Sequence, residues 1–210
     1  MKYFTGQKLV TTVCLMARLT IYDVCHKLEN TDLTELKKPG RNKGERGQIL
    51  ELTLGLTNSS ALTDLKDGDI KTFTIGQTIA VTQLNHCLSE IITHNTSFQD
   101  SKVGIKIRNT IYIAFQKDGK FRSWKCALNY HGLIDKFVED YKYIANAVCT
   151  SYKTKGVLHT VTGPNKILQI RTKATKTKNG SYVPMVYEGV KLSNKGMAFY
   201  ITARFIKSVF

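Results

Sequence analysis

Hydrophobic and polar positions switch between two periods along the chain, and each switch marks an element. Thr20-Ile21-Tyr22-Asp23 has the residues of a capping box and predicts a helix to about Glu29, with a short turn from Thr31 to Leu36 after it. A polar hinge from Lys37 to Gly44 precedes a second helix, about Glu45 to Leu56, whose Leu50 and Leu54 stand at i, i+4 on a buried side while Glu51 lies off that pair. A strand is expected around Gly68 to Ile75, then a mixed polar and apolar stretch from Thr82 to Ile92. Ile105, Ile107, Ile111, Ile113 and Phe115 alternate as an extended run that turns at Lys117-Asp118-Gly119-Lys120 into a strand with Phe121 and Trp124, a hairpin signal. Leu133 to Val148 returns to helical spacing through Phe137, Tyr141, Ile144 and Val148. Strands around Lys166 to Lys173 and Tyr182 to Val190 and a last helix near Phe199 to Phe210 complete a mixed α/β (α+β) pattern without internal repeats. Trp124 and the Phe137, Tyr141, Ile144 stripe follow hairpin and helical periods, which makes them core rather than stacking platforms.

Composition bounds what such a chain can be. Its 210 residues, 42% hydrophobic and with three prolines, suffice for one sizeable core or two packed lobes and argue against extended disorder. No apolar stretch is long enough to cross a bilayer, and Met1 to Arg18 lacks the apolar core and small-residue site of a secretory signal, so an intracellular location is expected. The five cysteines (Cys14, Cys25, Cys87, Cys126, Cys149) are scattered without a Cys-x-x-Cys pair. The neighbours Cys25-His26 and His86-Cys87 diverge in a helix or strand, which leaves reduced structural thiols rather than a zinc site.

Charge adds a partner class. Net charge is +15, and from Ser151 to Phe210 eleven basic residues stand against Glu188 alone. A surface of that kind attracts polyanions through phosphate contacts and counterion release.

The candidate chemistry lies earlier. On a strand, alternate side chains share a face, so Asp69 and Lys71 point together while Ile70 enters the opposite layer. A strand carboxylate can hold Mg²⁺ against a phosphodiester, and an ammonium two residues on can orient the attacking water or offset charge developing on phosphorus.

These residues stand within a series of motifs. Asn42-Lys-Gly-x-x-Gly-x-x-Leu-Glu51-x-x-Leu-Gly55, Asp64, Asp69-x-Lys71-Thr72, Lys106 ahead of Thr110-Ile-Tyr-Ile-Ala-Phe115, Leu168-Gln-Ile-Arg-Thr-Lys-Ala174 and Phe199-Tyr-Ile201 run in that order along most of the chain. In this the chain resembles the family of MutH and the GATC-specific type II restriction endonucleases, within the PD-(D/E)xK nuclease superfamily. The resemblance implies a restriction-endonuclease-like core with a mixed central β-sheet flanked by helices. It implies one endonuclease domain over 1–210, with lobes of about 1–150 for catalysis and 151–210 for DNA reading.

For the site, the resemblance implies Glu51, Asp64, Asp69, Lys71 and Lys106 as catalytic residues. Mg²⁺, with Mn²⁺ substituting, would be held by Asp64, Asp69, the Ile70 carbonyl and Glu51. Arg171, Lys173 and Tyr200 would read DNA, Arg171 by bidentate pairing with guanine, while Lys153, Lys155, Lys176 and Lys178 would touch phosphates. Two departures stand out: only four residues separate Asp64 from Asp69, where the family loop is longer, and Asp69 replaces the glutamate of MutH. Asp64 and Asp67 are both candidates for the partner of Asp69. The implied substrate is double-stranded DNA, cut at GATC to leave 5′-phosphates, by a monomer or a transient dimer. The alternatives are a mismatch-repair nicking enzyme answering to a MutL-like protein, and a DNA-binding module without catalysis.

Overall fold

The computed structural model describes residues 18–34, 36, 45–56, 64–93, 96–127, 132–173 and 176–210. Cys14, the expected hinge at 37–44, including Asn42, Lys43 and Gly44 of the first motif, and Ala174 lie outside these residues. Among the described residues no helix is long and apolar enough to cross a membrane.

The chain opens with α1 (Ile21–Glu29), closed at its start by the expected capping box: the Thr20 hydroxyl accepts from Asp23 N–H and Asp23 accepts from Thr20 N–H. Helix α2 (Glu45–Thr53) buries Leu50, and Leu54 is buried just beyond its end. Strand β1 (Asp69–Thr74) follows, then β2 (Ile79–Gln83), a single 3₁₀ turn (Leu84–His86), α3 (Leu88–Ile92) and α4 (Lys102–Arg108). Next come β3 (Thr110–Phe115), β4 (Phe121–Cys126) and the long α5 (Ile134–Thr154). The remainder is β5 (Val161–Thr162), β6 (Leu168–Thr172), β7 (Met185–Tyr187), β8 (Val190–Ser193), β9 (Met197–Ile201) and α6 (Ala203–Val209).

The expected mixed sheet is present and has three strands: β1 runs parallel to β3, and β3 antiparallel to β4 through the predicted hairpin. The other strands form separate antiparallel sheets, β2-β9-β6-β5 and the hairpin β7-β8. Strand β3 is buried along its whole length because each face meets a different core. Ile111, Ile113 and Phe115 pack with α1 and α2 residues Val24, Leu28, Leu50 and with Ile70. Tyr112 and Ala114 face Phe137, Tyr141 and Ile144 of α5, together with Leu168 and Phe199. The α5 stripe is thus core, as its period requires, and Trp124 packs against the first cluster half-buried.

Two sequence expectations are corrected. Ile105 and Ile107 are not in a strand: the Ser101 hydroxyl accepts from Gly104 N–H and starts a helix at Lys102. Residues two apart on a helix face nearly opposite ways, so Ile107 is fully buried while Ile105 is exposed. Phe199 to Ile201 are likewise not helical but lie in β9, between β2 and β6, with all five of its residues buried. The helix begins only after Thr202, whose hydroxyl accepts from Phe205 N–H.

Candidate active site

Asp69 begins β1 and is almost fully buried there. Its N–H donates to the Asn109 carbonyl on the β3 side, whereas the next N–H, that of Ile70, points the other way and donates to Asp64 Oδ2 at 3.2 Å. In an extended strand a residue's N–H and C=O point to the same side, so the Ile70 carbonyl also faces Asp64 rather than β3.

The short loop brings Asp64 back to Asp69 instead of separating them. Leu65 N–H donates to the Gly68 carbonyl at 2.9 Å, closing a tight turn, and Asp64 N–H donates to Asp69 Oδ1 at 3.3 Å. Gly68 is required by this approach, since a Cβ there would collide with the Asn109 carbonyl and with Ile21. Asp67 is engaged elsewhere: its Oδ1 accepts the Ile21 N–H at 2.7 Å at the start of α1. Of the two candidates, Asp64 is the one beside Asp69.

Two ammonium groups converge on this pair. Lys71 Nζ lies 3.4 Å from Asp69 Oδ2 and 3.7 Å from Asp64 Oδ2. Lys106, from α4, reaches the same Asp69 Oδ2 at 3.2 Å. Glu51 stands behind the pair on α2, half-buried. Burial and then the Asp64 charge push its carboxyl above the ordinary glutamate range, with Lys71 pulling in the opposite direction. The five residues carried by the resemblance therefore gather at one end of β1.

The raised Glu51 carboxyl has a measurable sign. A carboxylate held above its unfolded value lowers stability once ionised, so the wild type loses stability as pH rises from the ordinary glutamate range through the raised one. In metal-free buffer Glu51→Gln removes that loss and gains on the wild type over this interval. Thermal unfolding of both proteins from pH 4 to 8 checks it, and parallel curves contradict it.

Lys71 and Lys106 open onto a cleft of ≈ 910 Å³ also lined by Gln77, His86, Lys102 and Lys173, and among the described residues no carboxylate lines it. Lys173, from the basic region, thus lines the same cleft as Lys71 and Lys106. Arg171 lies with its guanidinium carbon 4.5 Å from the Tyr200 ring centroid, so Tyr200 is covered and Arg171 is the exposed member of the pair. Lys176 forms a bridge with Tyr182, Lys178 sits in the turn from Thr177 to Gly180, and neither lines this cleft. Lys153 and Lys155 end α5, also away from the cleft lining. Lys102 was missed by sequence reading, although its i, i+4 relation to Lys106 becomes plain once the segment is helical.

The Cys-His neighbours gain no chemistry from the fold. Burial pushes the Cys87 thiol up to about 12, and burial together with Cys126 does the same to Cys25, the reverse of an activated thiolate.

The donor set suits a hard divalent cation: Asp64 and Asp69 supply carboxylates and Ile70 a carbonyl, all oxygen. Lys71 Nζ holds positive charge between the two carboxylates. Among the described residues no group of three or more His, Cys, Asp and Glu side chains is gathered closely enough to hold a metal ion.

No protein-family model matches the chain, and no curated protein matches it.

Proposed function

We propose that this chain is a Mg²⁺-dependent DNA endonuclease of the PD-(D/E)xK kind, similar in its motifs to MutH and the GATC-specific restriction enzymes. The observation that carries the reading is the convergence on Asp69 of Lys71, two residues away, and Lys106, which reaches it from a separate helix. A buried carboxylate shared by two lysines and a second aspartate is an expensive arrangement for a core and a useful one for phosphoryl chemistry. The four lysines that line the adjoining cleft, with no carboxylate beside them among the described residues, favour a polyanionic substrate.

Asp64, Asp69, the Ile70 carbonyl and Glu51, the last through water, are the residues that would hold Mg²⁺ or Mn²⁺. When bound, such an ion supplies Lewis acidity toward the phosphoryl oxygen and lowers the pKa of a coordinated water. Lys71 orients the attacking water along the strand face it shares with Asp69. Lys106 offsets the negative charge that builds on the phosphoryl oxygens, and Asp69, hydrogen-bonded to Lys106 and ion-paired with Lys71, keeps both ammonium groups aimed. Lys102 and Lys173 hold backbone phosphates across the cleft, and Arg171 is the exposed group best suited to pair with guanine. Double-strand cutting at GATC, leaving 5′-phosphates, is the specific activity we assign. Nicking in concert with a MutL-like partner is the second.

The test is incubation of purified protein with plasmids carrying unmethylated or adenine-methylated GATC, in Mg²⁺ or EDTA, followed by sequencing of the ends. Mg²⁺-dependent linear products ending at GATC are expected. Nicked circles alone would point to the repair activity. Intact DNA under every condition, with salt-sensitive binding retained, would leave a binding module.

A further inference from the structure

Arg46 is the least explained charged residue in the fold. It sits at the second position of α2, in one of the variable places of the first motif, and is 6% exposed. Its guanidinium carbon lies 4.2 Å from the Phe115 ring centroid, a contact that offsets part of the desolvation. Among the described residues its Nε has no hydrogen-bond partner and no carboxylate lies within ion-pair reach. Burial alone pulls its pKa below the ordinary arginine range, with nothing countering it. A methionine would cover Phe115 without that cost, so packing does not account for the charge.

Arg46 lines a second cleft, of ≈ 630 Å³, together with Arg171, Thr72 and Gln77, and among the described residues none of its lining is acidic. Thr72, Phe73, Gln77 and Thr78 also line the first cleft, so the two clefts share these residues, with four lysines lining one and two arginines lining the other.

We propose that Arg46 is the anchor of a second phosphate site, which takes a backbone phosphate of the same nucleic acid strand beyond the catalytic lysines. The proposal rests on the nucleic-acid reading above. The planar guanidinium suits a phosphate better than an ammonium does, because two of its N–H groups can meet two phosphate oxygens together. A phosphate there supplies the anion that the fold withholds, and it fixes the register of the strand without reading a base.

The experiment measures binding of a short duplex by the full-length chain in EDTA over a series of salt concentrations, for wild type, Arg46→Met and Arg46→Lys. Arg46→Met is expected to weaken binding by the same factor for duplexes with and without GATC, and to flatten the dependence of log K on log salt by about one unit. Arg46→Lys, which keeps the charge, is expected to retain the wild-type slope. In DNA-free buffer Arg46→Met should melt no lower than the wild type, since an unpartnered buried charge has been removed.

An unchanged affinity and slope in Arg46→Met overturns the site. So does a fall in melting temperature and binding that Arg46→Lys does not restore, because Arg46 would then be structural. If inorganic phosphate raises the melting temperature of the wild type but not of Arg46→Met, while duplex binding is equal in both, the site takes a free or terminal phosphate and the backbone assignment is overturned. A flattened slope in a protein that cleaves no DNA supports this site while removing the nuclease reading. Cleavage with an unchanged slope does the reverse.

Discussion

If the proposed function holds, Lys71→Ala is expected to lower Mg²⁺-dependent cleavage by at least about a hundredfold and to leave DNA affinity within a few-fold of the wild type. The asymmetry follows from what Lys71 touches. Its ammonium lies between Asp64 and Asp69, at the chemistry, while Lys102, Lys106 and Lys173 remain along the cleft to meet phosphates. A further consequence separates this account from simple loss of structure. Because Lys71 holds positive charge where a cation would be held, its removal leaves two carboxylates facing each other, with only Asp69 still offset, by Lys106. Mg²⁺ should therefore raise the melting temperature of Lys71→Ala by more than it raises that of the wild type, even as cleavage disappears. Joint measurement of plasmid cleavage, duplex binding and Mg²⁺-dependent melting checks the prediction. Cleavage at the wild-type rate, or loss of cleavage and binding together, would sink the role given to Lys71.

Asp140→Ala is expected to cost about 3–5 kcal/mol in stability, a large share of the 5–15 kcal/mol typical of a domain. Asp140 lies in α5 with no solvent exposure and accepts three backbone N–H groups, from Asn165 at 2.7 Å, Ile167 at 2.8 Å and Leu168 at 2.9 Å. It thereby fastens the turn that leads into β6, and Gly163 lies so close that a Cβ would strike the Asp140 side chain. Alanine leaves the Ile167 and Leu168 donors buried and unpaired, and the damage passes to β6, which carries Arg171, and to Lys173 just beyond it. Asp140→Asn keeps the volume and one acceptor, so it should fall between wild type and alanine. Urea unfolding of the three proteins measures the series, and a cost below about 1 kcal/mol for alanine would contradict the clamp.

Most of the first half of the site could be read from the residues, and the reason is local. Asp69 and Lys71 are two apart on a strand whose period shows in Asp69-Ile70-Lys71, and the capping box at Thr20 fixes where α1 begins. Lys106 could be placed by motif order but not by geometry, because Ile105 and Ile107 mimic strand alternation and hide the Ser101 cap that makes the segment helical. The exclusion of Asp67 depended on a contact to Ile21, 46 residues away in sequence, which no local pattern records. Phe199-Tyr200-Ile201 looked helical because it joins directly to Ala203 to Val209. Only pairing with β2 and β6 makes it a strand, and that is a tertiary decision overriding a weak local preference. Arg46 gave no signal, since an arginine early in a helix is ordinarily solvated and its burial follows from where Phe115 comes to rest.

Strand β2 follows β1 closely in sequence yet takes β9 as its partner, while β1 waits for β3 on the far side of α4. During synthesis, Asp64, Asp69, Lys71 and Lys106 therefore emerge long before the strand that completes the wall opposite them. The carboxylate pair can assemble as soon as β3 is made, but a cleft bounded by both Lys106 and Lys173 exists only after residues near 200 have left the ribosome and joined β2. A nascent chain of this kind holds the carboxylate pair before Lys173 is placed across from it, so on the proposed function the cutting groups precede the grip on DNA until β9 joins β2.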